Sequence, residues 1–462
     1  MQNCANQNRL HEFKPIDLLP VFLVLSCLNC FIKNERKMQQ KDLIGLSHSP
    51  LVNQLHAIGK SLTQKPPKYN MHGLVRQNVL QWIWKNLCHL GNTHYPYQTY
   101  QDLNVNNGVF TMPEKDEISV ALLSDWASDT PESHNVASLC GSVERDFSIH
   151  LGDSYYVGNE QEIACNFNST FGAPWPYGKT GSFALLGNHE MYSSGKSYFT
   201  QLLPYMTMCE NGEVKQQEAS FFCLENAHWR IIGIDTGYYS LKGLLGLNAN
   251  ADLKLHPEQI EWLRNIVQPQ KDDRGIILLS HHQVFSAFDK VVFANPAQQL
   301  AELLGTDRSV LWFWGHEHRL SLYGENVMNN GLRVFGRCIG HGGMPVDIDQ
   351  EPGNDSLRNL VVFDKRLRKK IDEKYPVGYN GYVILKLKGA EIAIEYYDDN
   401  DNNDLKQERK ILEEKWRLEN GCLKGVSITD FTTTSPKKLT HAQELENALQ
   451  QSAAKEPAPT LV

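Results

Sequence analysis

"FALLGNHEMYSSG", Phe183 to Gly195, poses the question on which the fold turns. Phe183, Ala184, Leu185 and Leu186 form a run that belongs in a core. After the single spacer Gly187 the chain breaks into Asn188, His189 and Glu190, three side chains capable of chemistry. Taken alone, the break reads as an ordinary surface turn, because asparagine is a frequent turn residue. The same break recurs along the chain, however. "ISVALLSDWASD" reaches Asp125, "FSIHLGDSYYVG" reaches Asp153, "GIILLSHHQ" reaches His281, and "VLWFWGHEH" reaches His316 and His318. "WRIIGIDTG" runs in the same way to Asp235. Apolar runs of this length without polar alternation are strands buried on both faces. Between them lie helical patterns such as "HPEQIEWLRNIV", with Pro257 in its first turn. The texture predicts an α/β domain, and in such domains ligands gather beyond the carboxyl ends of the strands.

Strand ends that each release aspartate, asparagine or histidine predict a shared site. His316 and His318, two apart on an extended strand, project to the same side. Carboxylate, amide and imidazole together form the mixed oxygen and nitrogen set that first-row metals accept. The set is larger than one metal needs, and it suits two metals sharing a bridging carboxylate.

Asp125, Gly152-Asp153, Gly187-Asn188-His189-Glu190, His281 and Gly315-His316-x-His318, in that order, resemble the calcineurin-like metallophosphoesterase superfamily. The resemblance spans roughly residues 116–400 and includes "LSHHQVFSAF" and "CIGHGG". It implies a four-layer α/β/β/α sandwich with a dinuclear metal site. It implies that Asp153 bridges the metals, that Asp125 and His318 bind the first, and that Asn188, His281 and His316 bind the second. The expected function is hydrolysis of phosphate esters, monoester or diester, with a metal-bound hydroxide attacking phosphorus in line. His189 is then the residue that stabilises developing charge or protonates the leaving oxygen, and Glu190 is a support.

One departure is informative. Many members carry Asp-x-His in the first motif, whereas this chain has Asp125-Trp126-Ala127. "GDSYY" places Tyr156 three residues after Asp153, which is similar to the Gly-Asp-x-x-Tyr of purple acid phosphatases, where the tyrosine binds ferric iron. Tyr155 fits that spacing less well. The resemblance thus implies two metal ions, Fe(III) in the first site and Fe(II), Zn or Mn in the second. Ala127 stands where that subgroup has glycine, and strain there would alter the loop. His282, His341 in "CIGHGG" and His134 are further candidates for contact with substrate. The competing reading is a binding scaffold of the same fold without turnover. The complete ligand set, His189 included, argues against it.

The chain has 462 residues, 41% of them hydrophobic, enough for a large core, and a net charge of −8 with no long basic stretch, which speaks against a nucleic-acid surface. Ten cysteines are scattered. Cys27 and Cys30 form one C-x-x-C without a partner pair, and a reducing compartment such as the cytoplasm is slightly favoured. Against that, "LLPVFLVLSCLNCFI", Leu18 to Ile32, is an apolar leader within residues 1–37. It resembles a signal or anchor segment but is shorter than the roughly 20 residues of a spanning helix, and a start at Met38 would remove it. Residues 38–112 are expected to form a helical extension and linker, with helices near Leu51–Leu62 and Leu74–Leu87. Residues 113–418 are the catalytic domain and 419–462 a polar, disordered tail. Within the domain "GYVILKLKGAEIAIEYYD" predicts a hairpin and "DLKQERKILEEKWRL" a helix. Substrate specificity is expected in loops 129–146, 157–180 and 237–255.

Overall fold

The computed structural model describes residues 94–167, 175–242, 248–305, 308–328, 330–353, 359–371, 375–399 and 409–432. The leader, the two helices expected before residue 90, and the chain beyond 432 lie outside the described residues. Among the described residues no helix is long and apolar enough to cross a membrane.

Two mixed sheets form the centre. In the nine-stranded sheet Ile118–Leu123, Phe147–His150 and Gly181–Ala184 run parallel side by side. In the eight-stranded sheet Trp229–Gly233, Gly275–Leu279, Ser309–Trp314 and Arg333–Ile339 do the same. Every residue of Phe147–His150, Gly275–Leu279 and Ser309–Trp314 is buried, as apolar runs without alternation require. Alternate residues serve two cores. Val120, Leu122 and Phe183 face the other sheet, whose Ile277 and Leu279 lie on the same face as Arg337 and point back toward them. Ala121 and Leu123 face outward onto a second cluster that includes Val136 and Leu139 of the helix Pro131–Ser142. That helix starts cleanly because Thr130 and Ser133 form a capping box and Pro131 occupies its first position. It occupies part of the 129–146 segment expected as a loop. Against the eight-stranded sheet pack Trp262 and Leu263 of the helical segment from Pro257, and Leu300 and Leu304 of Asn295–Leu304. The result is a four-layer α/β/β/α sandwich, as the resemblance implies.

The expected hairpin is present as Gly381–Lys388 and Glu391–Asp398. The helix expected over 404–418 is not formed in the described part. Arg409–Glu419 is a strand pairing with Glu391–Asp398 on one side and Cys422–Asp430 on the other. Its charges conceal a period of two: Leu412, Glu414 and Trp416 are buried, while Glu413, Lys415 and Arg417 are more exposed. Trp416 reaches Phe335 of the opposite sheet, with ring centroids 4.7 Å apart. The sandwich therefore continues through Asp430, and residues 419–430 belong to it rather than to a tail.

Candidate metal centre

The loops leaving the parallel strands of both sheets meet at one edge. One ligand atom from each of Asp125, Asp153 and His281 lies within 4.8 Å of the others, and the same holds for His281, His282 and His316. His281 Nε2 is 3.2 Å from Asp153 Oδ2 and 3.1 Å from Asn188 Oδ1. His318 Nε2 is 3.4 Å from Asp125 Oδ1. His281 turns Nδ1 to the Leu151 carbonyl at 2.9 Å, which leaves Nε2 for the centre. The six residues expected as ligands are thus brought together.

The backbone is bent to do this. Asp125, Asp153 and His316 have φ of 55°, 72° and 64°, in the left-handed region that side chains rarely adopt. Two glycines make room. A Cβ on Gly187 would lie 2.1 Å from Asp153 Oδ1, and one on Gly315 would lie 1.8 Å from Ser124 Oγ and 2.4 Å from Asp125 Oδ2. Gly187, the spacer after Leu186, is therefore the residue that lets the Asn188 loop close against Asp153.

Glu190 is the support expected of it. It is fully buried and accepts hydrogen bonds from the backbone N–H of Asp153 (3.2 Å), Ser154 (2.6 Å) and Gly187 (3.0 Å), tying two ligand loops together. Burial, and then the charge of Asp153, push its carboxyl up to about 7. His189 gives its backbone N–H to Asp153 Oδ1 at 2.9 Å. Its Nδ1 lies 2.5 Å from the Tyr156 carbonyl, and Nε2 points back toward Asp153 Oδ2 at 3.7 Å. Tyr192 lies edge-on to His189, with centroids 5.3 Å apart, and went unread in the sequence because nothing in its spacing distinguishes it.

Several expectations change. Tyr155, not Tyr156, carries its phenol into the cluster: its OH is 2.6 Å from Asp125 Oδ1, 3.3 Å from Asp153 Oδ2 and 2.9 Å from His318 Nε2. Ala127 shows no positive φ. It bridges to Ser154 and accepts from the Tyr155 N–H at 3.0 Å, so alanine here aligns the Tyr155 segment without strain. His282 is buried rather than lining an open pocket. Its ring lies 4.6 Å from that of His316 and 4.5 Å from Phe293. His341 is buried against Gly381, where an added Cβ would stand 2.9 Å from its Nε2. His134 is engaged by Asp129 Oδ1 at 2.8 Å.

The electrostatics suit cations. Burial works against ionising Asp125, yet the hydrogen bond from His318 and the charges of His281 and His318 hold its carboxyl down at about 2. Asp153 is held well below the usual carboxylate range by His281 and His189, again against burial. Burial, then the charge of His281, lowers His316 to about 3, leaving its lone pair free. Burial would lower His281 too, but the charge and hydrogen bond of Asp153 raise it from 6.5 to about 9. In the metal-free chain this ion pair therefore stabilises the fold fully below about pH 6.5, and the contribution is lost as pH rises through about 9. A metal on His281 must first expel that proton. Metal affinity is accordingly expected to rise about tenfold per pH unit up to about pH 9. Titration with a chelator-buffered divalent metal at several pH values checks this, and an affinity flat over that window contradicts it.

Residues 118–320 match the calcineurin-like phosphoesterase family. That segment carries the site, and it is where the chain is similar to the family. By class this phosphoesterase is a phosphoric ester hydrolase. Solved structures similar to it include GAP50, the anchor in the inner membrane complex of Plasmodium, at 15% identity, covering 75% of this chain and 98% of that one with a TM-score of 0.40. PhoD shows 10% identity, coverage of 74% and 78%, and a TM-score of 0.42. A dimetal phosphatase from Danio rerio shows 10% identity, coverage of 63% and 98%, and a TM-score of 0.35. At these values the likenesses carry no argument about substrate or partner. No curated protein matches the phosphoesterase in sequence.

Proposed function

We propose that this phosphoesterase hydrolyses phosphate esters at a dinuclear metal centre, with Asp153 as the shared ligand, Asp125 and His318 on the first metal, and Asn188, His281 and His316 on the second. The observation that carries the reading is the convergence of two carboxylates, an amide and three imidazoles from the strand ends of two sheets. The donors fit the group: hard and borderline ligands, carboxylates held ionised, and loops bent and hollowed to bring them close. Bound there, two cations would neutralise charge on the phosphoryl oxygens and acidify a water near neutral pH.

The residues around the cations have distinct tasks. Glu190 locks the Asp153 and Asn188 loops in one geometry through three backbone hydrogen bonds. His189 donates from Nδ1 to the Tyr156 carbonyl, which leaves Nε2 facing the centre. Its side chain is 18% exposed, open enough to meet the leaving oxygen of an ester and give it a proton.

Tyr155 takes the place left by the absent histidine of the first motif, and we assign it, instead of Tyr156, as the further ligand of the first metal. Burial, then the negative charges of Asp125 and Asp153, keep the phenol protonated in the metal-free chain. A trivalent cation is suited to removing that proton, because bound ions invert the local proton affinities. This favours Fe(III) in the first site, with Fe(II), Zn or Mn in the second. An iron-loaded protein is expected to show a visible phenolate charge-transfer band that Tyr155→Phe removes and Tyr156→Phe keeps. The opposite pattern returns the role to Tyr156, and an active, colourless, iron-free protein removes iron from the reading.

The test of the function itself is turnover of p-nitrophenyl phosphate and bis-p-nitrophenyl phosphate alongside metal analysis. Hydrolysis of either with two metals per chain is expected, and their ratio separates monoesterase from diesterase. Two bound metals with no turnover of either would shift the reading to a binding scaffold.

A further inference from the structure

We propose that His282 is a third imidazole ligand of the second metal, joining His281 and His316 and biasing that site toward zinc over manganese. The inference rests on the dinuclear reading above but goes beyond the ligand set that the strand-end motifs imply, which ends at Asp153, Asn188, His281 and His316.

The geometry of the rings is the first argument. His281 and His282 have centroids 4.7 Å apart at 89°, His282 and His316 4.6 Å at 46°, and His281 and His316 5.3 Å at 76°. Imidazoles bound at the usual zinc–nitrogen distance and at tetrahedral to right-angle spacing place their ring centroids about 4.5–5.2 Å apart. The observed triangle has that size. One nitrogen from each of the three rings also lies within 4.8 Å of the other two.

The second argument is the orientation of His282. Its Nδ1 is 3.1 Å from Thr236 Oγ1, and the same oxygen accepts the His282 backbone N–H at 3.1 Å. In the tautomer that donates Nδ1–H to Thr236 the lone pair lies on Nε2, the arrangement in which metal-ligating histidines are held by an outer partner. Among the described residues, no hydrogen bond is made to His282 Nε2. The ring is only 1% exposed and flanked by Phe293, so a role in meeting substrate from solvent does not suit it. A buried imidazole packed against two others has a use if a cation sits among them. Three imidazoles also select for borderline metals such as zinc, where carboxylate-rich sites accept manganese.

The test uses the full chain, labelled with 15N-histidine and loaded with 113Cd. Direct cadmium–nitrogen coupling is expected to four imidazoles, those of His281, His282, His316 and His318. Coupling to three, with two cadmium ions bound, overturns the assignment while leaving the dinuclear reading intact. Failure to bind two cadmium ions overturns both. In parallel, chelator competition is expected to show zinc affinity at the second site falling at least about tenfold in His282→Ala, with manganese affinity moving less. Thr236→Val, which frees the ring without removing it, should give a smaller loss of the same kind. Unchanged zinc affinity in a folded His282→Ala protein also overturns the proposal. The cadmium measurement is made on the unsubstituted chain, so it decides even where that variant does not fold.

Discussion

Asp153→Asn is expected to lower kcat/KM on p-nitrophenyl phosphate by well over a hundredfold and to reduce metal content below two per chain. The size follows from position: altering an outer partner of a metal ligand already costs about 10–100-fold, and Asp153 is the proposed shared ligand itself. The substitution is close to isosteric. One oxygen can still accept the His189 N–H now held at 2.9 Å by Oδ1. The other position, 3.2 Å from His281 Nε2, becomes an NH2 group that has no lone pair for a cation. Asparagine also tolerates the left-handed backbone at this residue, where φ is 72°, so the fold is expected to survive. Circular dichroism, metal analysis and steady-state kinetics on one preparation check the prediction, and full activity in a folded variant removes Asp153 from the site. His189→Ala provides the contrast. It should retain both metals and lose kcat by about 10²–10⁴, the range for a general acid, with KM changing less. Loss of metal in His189→Ala would instead make His189 a support of Asn188 and Asp153.

Glu414→Ala is expected to destabilise the protein by about 3–5 kcal/mol, the cost of leaving one partner of a buried ion pair uncompensated. Arg337, on the strand Arg333–Ile339 of one sheet, reaches Glu414 on Arg409–Glu419 of the other. Nε lies 2.9 Å from Oε1 and Nη2 2.6 Å from Oε2, and both side chains are fully buried. Glu414 also accepts from Tyr396 OH at 2.6 Å and Trp416 Nε1 at 3.2 Å, while Arg337 donates Nη1 to the Tyr323 carbonyl at 2.7 Å. Alanine would strip four donors of their acceptor in a site closed to water. The double variant Arg337→Met/Glu414→Leu should recover most of the loss, because apolar replacement of a whole buried pair is often neutral or stabilising. Urea denaturation of the three proteins measures this. A single variant within about 1 kcal/mol of the parent would mean that the pair is weakly coupled to the fold.

The Glu414 strand also shows where local reading stops. "DLKQERKILEEKWRL" is rich in charged, helix-tolerant residues, and the short alternation Leu412, Glu414, Trp416 inside it is outweighed by them. A buried glutamate carries no apolar signal at all; it is inside only because Arg337 awaits it from a strand far away in sequence. The neighbouring strand Cys422–Asp430 was hidden by the same logic, since an edge strand with one face in water needs little hydrophobicity.

At the site the division is sharper. Asp125, Asp153, Asn188, His281, His316 and His318 were legible because each needs only a local rule: an apolar run buried on both faces, a short spacer, then a side chain capable of binding metal. The sandwich follows from those same runs. Which tyrosine enters the cluster obeys no such rule. Counting from Asp153 selects Tyr156, but the irregular loop, aligned by the bridge between Ala127 and Ser154, turns Tyr155 inward instead. The same holds for the outlying histidines. His134 is engaged by Asp129, His341 lies behind the centre against Gly381, and His282 stands beside His316. By itself the sequence determined the strands and the polar side chains at their ends, which make up the proposed metal-binding set, because those depend on burial along a few consecutive residues. Only the tertiary structure decided the inward tyrosine, the places of His134, His282 and His341, and the strand that pairs Glu414 with Arg337. Each of these depends on which side of a loop or sheet a residue faces, and that is set by partners distant in the chain.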